Sequence, residues 1–344
     1  MSAGRSQSKK IRMKRKIIYI SLLIVSIAGR QNAQAQLDPH FSQYYISPMT
    51  LNPALTGVME GDYRGSVIFR SEYGNTLMTK GLSADMTTNS NYNVGIDLLN
   101  ESTADQSYAY NTGHISMAYT GVRLGSGADH CISMAMQFGV ISRRFDVSRL
   151  QFGDQWAPGL GYQETSSSGE AIVKPAVAAF DAGVGIAYYD ASPDKKANVF
   201  GGIGVFHLSQ PGNTFLSGEN DKLPVRYSIH AGVRIIASDL FSIVPNVLYM
   251  REGNAQERML GAYAQLYANE STDLLFGANW RVADALSPFA GFYYNGLTIG
   301  LSYDVSASAA AGATTRTGSF ELSISYVGKN KKIIKTKPFH CPRF

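Results

Sequence analysis

Most of this chain alternates apolar and polar side chains in runs of about ten residues, and no other feature restricts its fold as much. Val225, Tyr227, Ile229, Ala231, Val233 and Ile235 interleave with Arg226, Ser228, His230, Gly232 and Arg234. Leu297, Ile299, Leu301, Tyr303 and Val305 interleave with Thr298, Gly300, Ser302 and Asp304. A period of two puts the two sets on opposite faces of a strand. The pattern predicts about fourteen strands, at 64–73, 80–88, 92–100, 107–120, 130–144, 176–189, 197–207, 225–237, 240–250, 256–268, 272–281, 284–294, 297–305 and 318–328. Asn295-Gly296 between two such runs marks a two-residue hairpin.

The connections alternate in length. Residues 145–175, 208–224 and 306–317 follow the fifth, seventh and thirteenth strands and are long; 238–239, 269–271 and 295–296 follow even strands and are tight. Outer-membrane barrels have long outer loops and short periplasmic turns. With a periplasmic N-terminus, the long connections lie outside. Two connections break the parity: 121–129 is long for a periplasmic turn, and 282–283 is short for an outer loop. The reading is all-β: a transmembrane antiparallel β-barrel of about fourteen strands over 63–328, closed because an open edge in hydrocarbon leaves backbone groups unpaired. A soluble sandwich or jelly roll is the competing architecture. Tyr108, Tyr110, Tyr188, Tyr189, Tyr249, Tyr293 and Tyr294, near strand ends, suit interfacial girdles.

Residues 1–35 read as a signal peptide with an upstream extension. Arg12-Met13-Lys14-Arg15-Lys16 is a basic start, Ile17–Ala28 a short apolar run, and Ala33-Gln34-Ala35 a cleavage site before Gln36. The formal charge of +5 originates there: eight basic residues and no acidic one precede Gln36, leaving 23 basic against 26 acidic residues in the mature chain. That balance gives no support to a nucleic-acid partner.

Residues 36–62 form an N-terminal brace or plug. Pro39, Pro48 and Pro53 forbid a long helix and a central strand. A short helix from about Pro39 to Tyr45, capped by Asp38, is expected, with a turn or second short helix at Asn52-Pro53. Fourteen strands enclose a lumen wide enough for water unless something fills it. This segment is one candidate filler, and inward-folded outer loops are another. The tail, 329–344, is basic and periplasmic by strand parity; it is either solvated or set against an acidic partner.

Sites for chemistry are sparse. The sequence contains no His-Glu-x-x-His, Cys-x-x-Cys or Gly-x-Ser-x-Gly. Gly201-Gly202-Ile203-Gly204 lies inside a strand and reads as close packing, not as a phosphate loop. His114 and Ser116 share a face, but no third triad member is identifiable. Arg226, His230 and Arg234 share a polar face, which is either a positive lumen stripe or a wet face paired with acidic neighbours. Cys131 and Cys341 form no disulfide scaffold. No catalytic, cofactor or metal residue is assigned, and no enzyme activity is expected. Phe152, Trp156 and Tyr162 in the longest connection are candidate partner anchors, or else close the lumen. Asp38, Phe41, Tyr44 and Asn52 are the candidates in the N-terminal segment.

Asp38-Pro39-His40-Phe41-Ser42-Gln43-Tyr44, followed by Leu51-Asn52-Pro53-Ala54 and Gly57, resembles the N-terminal signature of the PorP/SprF family. The closing Cys341-Pro342-Arg343-Phe344 is similar to how members end. The resemblance implies a Bacteroidetes outer-membrane barrel of the type IX secretion system. Such a protein assists secretion or cell-surface attachment of particular substrates, often gliding adhesins. The implied partners are outer-membrane lipid, the C-terminal domain of a secreted substrate, and other components of the machine in periplasm and outer membrane. A passive or substrate-specific pore is the alternative function.

Overall fold

The computed structural model describes residues 38–329 apart from 89, 164, 167–168, 170–174, 194, 213–214, 216–220, 270 and 307–317. The expected signal peptide, the tail from Asn330 and Cys341 lie outside the described residues.

Fourteen antiparallel strands close into one barrel. They are β1 Tyr63–Glu72, β2 Leu77–Thr87, β3 Tyr92–Thr103, β4 Tyr108–Leu124, β5 His130–Phe145, β6 Ala176–Asp190 and β7 Ala197–Phe206. They continue as β8 Arg226–Ser238, β9 Phe241–Glu252, β10 Ala255–Asn269, β11 Thr272–Arg281, β12 Ala285–Tyr294, β13 Leu297–Ser306 and β14 Gly318–Gly328. Each alternating run of the sequence is one of these strands. β1 pairs with β14 from Tyr63↔Gly328 to Glu72↔Ser319, so the sheet has no free edge. Asn295 and Gly296 both take positive φ, as a tight hairpin between right-twisted strands requires. β4 corrects one expectation. A bulge between Tyr119 and Val122 lets it continue to Leu124, so the long turn expected at 121–129 shrinks to 125–129.

The barrel is apolar outside and polar inside. On β14 Ser319, Glu321, Ser323 and Ser325 are buried in the interior, while Phe320, Leu322, Ile324 and Tyr326 are 36–45% exposed on the outer surface. A belt of exposed Leu, Ile, Val and Phe is costly in water and stable only against hydrocarbon. Parity also corrects the tyrosine girdle. Tyr110 and Tyr189 are buried in the interior, and Tyr293 lines an interior cavity. The outer ring at the short-turn end is built instead around Tyr63 with Tyr326 and Tyr92 with Tyr119, whose ring centroids lie 6.2 Å and 5.1 Å apart.

Residues 38–62 run through the interior from one end to the other. Asp38 lies at the end carrying the long connections, where its amide donates to Glu252 at the end of β9. Asp62 lies at the short-turn end, where its amide donates to the Gly328 carbonyl and its own carbonyl accepts from Thr87. The expected helix over 39–45 is absent. In its place are a 3-10 turn at Tyr44–Ile46, one α-turn at Pro48–Leu51 and a 3-10 turn at Pro53–Leu55. The reason is a partner distant in sequence. The amides of Ser42 and Gln43, which a helix would use internally, donate to the Glu321 carboxylate at 2.7 Å and 2.9 Å.

Candidate functional site

Two regions bear on function: the occupied lumen and the rim built by the long connections. In the lumen, three charged clusters and one glycine wall hold the N-terminal segment.

The first cluster surrounds Ser42. Glu321, besides the two amides, receives Arg70 at 2.8 Å. Asp304 accepts from Ser42 Oγ at 2.9 Å, Arg281 at 2.7 Å, Ser319 Oγ at 2.6 Å and Arg70 at 3.1 Å. Buried charges of this kind are tolerated because each is paired and hydrogen-bonded. The second surrounds Asp38, whose carboxylate receives His207 Nε2 at 2.8 Å, Tyr110 Oη at 3.0 Å and Arg143 at 3.4 Å. The third is at the short-turn end. Arg64 makes a two-pronged contact with Asp85 at 2.9 Å and 2.7 Å, and Asp85 also accepts from the Gly57 amide at 2.7 Å.

Between them Asn52 does two jobs. Its Oδ1 caps the turn at Pro53–Leu55 by accepting from the Ala54 amide at 3.0 Å, and its Nδ2 donates to the Ile186 carbonyl at 3.0 Å. Nδ2 also lies 3.2 Å from His230 Nε2, which makes that nitrogen the acceptor. Glycines on β6 and β7 form the surface that Leu51–Ala54 lies on. A Cβ at Gly202 would sit 2.5 Å from Asn52 Nδ2, one at Gly204 2.9 Å from the Leu51 carbonyl, and one at Gly185 2.9 Å from the Ala54 amide. The glycine run of β7 thus serves close approach of a second backbone.

The remaining expectations sort cleanly. Arg226 donates to the Thr50 carbonyl at 3.3 Å and stacks on Phe206, and Arg234 donates to Tyr267 Oη at 2.7 Å, so this face, read either as a positive stripe or as a wet face with acidic neighbours, has its side chains divided among separate partners. His114 bonds Asp97 and Asp181, not Ser116, whose Oγ is buried without a hydrogen-bond partner. Asp38, Phe41, Tyr44 and Asn52 are buried inside the barrel. Tyr44 Oη donates to Asn246 at 2.6 Å. Asp38, His207 and Glu252 bring potential ligand atoms within 4.8 Å of one another, but their hydrogen bonds to each other, to Tyr110 and to Asp181 already account for them. Burial opposes a charged His207 ring, yet the Asp181 and Asp38 carboxylates raise its pKa to about 9. For Asp38 burial acts in the opposite direction, and His207 with Arg226 and Arg143 still holds it below the usual carboxylate range.

At the rim, Trp156–Ala157 pairs with Gly161–Tyr162 in a two-residue ladder. Trp156 is 55% and Leu160 76% exposed at its tip, and the Trp156 and Tyr162 rings lie 5.9 Å apart. Phe152 is half-buried at the base. Phe145 meets Phe215 edge-on at 4.9 Å, joining the two long connections. A cleft of about 500 Å³ opens beside them, lined by Gln106, Arg144, Asp146, Arg149 and Pro175.

The model of one family, the type IX secretion system membrane protein PorP/SprF, matches residues 33–326. The chain belongs to the PorP/SprF family. Among solved structures it is similar to the toluene transporter TbuX of Ralstonia pickettii, at 12% identity, TM-score 0.51, with 86% of this chain and 97% of that one covered. It is also similar to the toluene transporter TodX of Pseudomonas putida, at 9% identity, TM-score 0.48, with 84% and 94% covered. At such identities the likeness is one of fold. No curated protein matches the chain. Family and fold together make this an outer-membrane β-barrel of the type IX secretion system, working with other secretion components. Asp38–Tyr44 and Leu51–Ala54, within the matched range, form the stretch that Glu252, Glu321, Asp304 and the β6–β7 glycines hold.

Proposed function

We propose that this PorP/SprF barrel attaches secreted cargo at the cell surface while its own lumen stays shut, and that it carries no catalytic activity. The observation that carries this reading is the N-terminal segment, which crosses the lumen end to end and is tethered at Asp38, Ser42, Asn52 and Gly57. In this reading residues 36–62 are the plug, 1–35 the cleaved signal peptide and 329–344 a periplasmic tail. The long connections face outward, following the parity of outer-membrane barrels. Cargo, presented by its C-terminal domain, docks on the rim around Phe152, Trp156 and Tyr162. Trp156 is exposed there and Phe152 and Tyr162 are half-buried, and aromatics are among the residue types that dominate interface energies. Gliding adhesins are one cargo class consistent with this surface.

The competing reading is a substrate-specific pore. It draws on a cavity beside the segment, lined by Tyr45, Tyr263, Leu275, Phe289 and Tyr293. That cavity measures about 30 Å³, the room of one or a few waters, against roughly 150 Å³ for an apolar cavity that binds benzene.

Deleting 153–168 tests the attachment reading. The barrel should still reach the outer membrane as a heat-modifiable band while the cargo moves from the cell surface to the medium. Cargo that stays attached would remove the rim from the account.

A further inference from the structure

One unbroken chain of side chains leads from the N-terminal segment into the barrel wall. His207 Nε2 lies 2.8 Å from Asp38, and His207 Nδ1 3.1 Å from Asp181 Oδ2. The same oxygen lies 3.1 Å from His114 Nε2, and His114 Nδ1 lies 3.3 Å from Asp97 Oδ2. Gln137 closes the series, donating to Asp97 Oδ1 at 2.8 Å. Both imidazoles therefore face carboxylates at both nitrogens. A neutral imidazole has one N–H and one lone pair, so it would set that lone pair against a carboxylate. Only the imidazolium donates at both ends.

The charges around the chain give the same answer. Among the described residues, Asp38, Asp97, Asp181 and Glu252 face the guanidiniums of Arg143 and Arg226 and the two rings, with the Tyr110 hydroxyl beside them and the Glu101 carboxylate and Tyr108 hydroxyl of β3 and β4 also facing Asp38. Loss of the two ring protons would leave these carboxylates facing two arginines alone. The two rings, Asp38, Asp97, Asp181, Glu252 and Arg226 are buried and Arg143 is 19% exposed, so the imbalance after proton loss has little screening. A cavity of about 30 Å³ among Asp38, Asp97, His114, Asp181, His207 and Arg226 is large enough for a water molecule beside both rings.

We propose that this chain is a proton-operated latch: with both rings charged it holds the start of the N-terminal segment across the long-connection end of the lumen, and proton loss releases that end and opens the barrel. The proposal rests on the closed-lumen reading above. The direction follows from linkage. His207 has its pKa raised from 6.5 to about 9, so the stability it contributes is complete below about 6.5 and is lost as pH rises through about 9. Asp38 titrates below the usual carboxylate range, so mild acid leaves the latch closed.

Conductance of the purified full-length barrel in planar bilayers, scanned from about pH 7 to about pH 10.5, tests this. The wild type should be nearly silent at neutral pH and open reversibly near pH 9. His207→Gln, which has no titrating ring, should conduct already at pH 7 and lack the step, while His130→Gln should keep it. Should His207→Gln fail to give a heat-modifiable band, Asp38→Asn is expected to lose the step in the same way. A wild type silent across the whole range, or a step retained in His207→Gln, overturns the latch alone. A wild type open at pH 7 overturns the closed-lumen reading beneath it.

Discussion

Glu321 shows at the residue scale how the segment is held. It accepts two amides of the segment and one guanidinium of the wall, and it is 1% exposed. Removing one partner of such a buried pair costs about 3–5 kcal/mol. Glu321→Ala should therefore lower the temperature at which the folded band is lost on gels, and should raise conductance because Ser42 and Gln43 lose their acceptor. Lipid-facing residues obey a different rule. Leu301 is 46% exposed on the outer face, and arginine at a mid-bilayer position costs about 2–4 kcal/mol. Ser302, its inward neighbour, is not a neutral control, because its Oγ lies 3.1 Å from Gln43 Nε2 and 3.3 Å from Glu321. Thr298, partly exposed beside the interior cavity, is the better one. Leu301→Arg should cut the heat-modifiable fraction severalfold while Thr298→Arg leaves it near wild type. Equal losses would contradict the register of β13.

The N-terminal segment and the β6–β7 wall act together at the scale of elements. Gly202→Val would drive a branched side chain into Asn52, so the barrel should form but the segment should fail to seat. Protease digestion of the native protein would then cut within 38–57, where the wild type resists. Alternation alone placed the strands in the sequence, because a wall with lipid on one side and polar groups on the other writes period two into every run. It could not reveal the path of residues 38–62. That path depends on which distant carboxylates receive the amides of Asp38, Ser42 and Gln43, and these lie on β9 and β14, more than 200 residues away. The same limit explains the absent helix at 39–45 and the misplaced tyrosines. Tyr110 and Tyr189 are near strand ends, but their parity turns them inward. One signal was readable: Arg70, Asp85, Asp97, Asp181, Arg281, Asp304 and Glu321 all fall on the polar face of a strand. So many charges of both signs facing one lumen indicate paired networks, not a single stripe.

For the whole molecule, connection length and strand parity carried the architecture. The longest connections all follow odd-numbered strands; extending β4 shortens one exception to 125–129, while the connection at 282–284 stays short for its side. The closed sheet has an apolar exterior and an interior crossed by its own N-terminal segment. The direct test is single-channel conductance at neutral pH of the full barrel beside a variant lacking residues 38–60. The wild type should be silent and the variant should show stable open steps. Equal conductance in the two would mean that the segment leaves a continuous path through the barrel and does not close it.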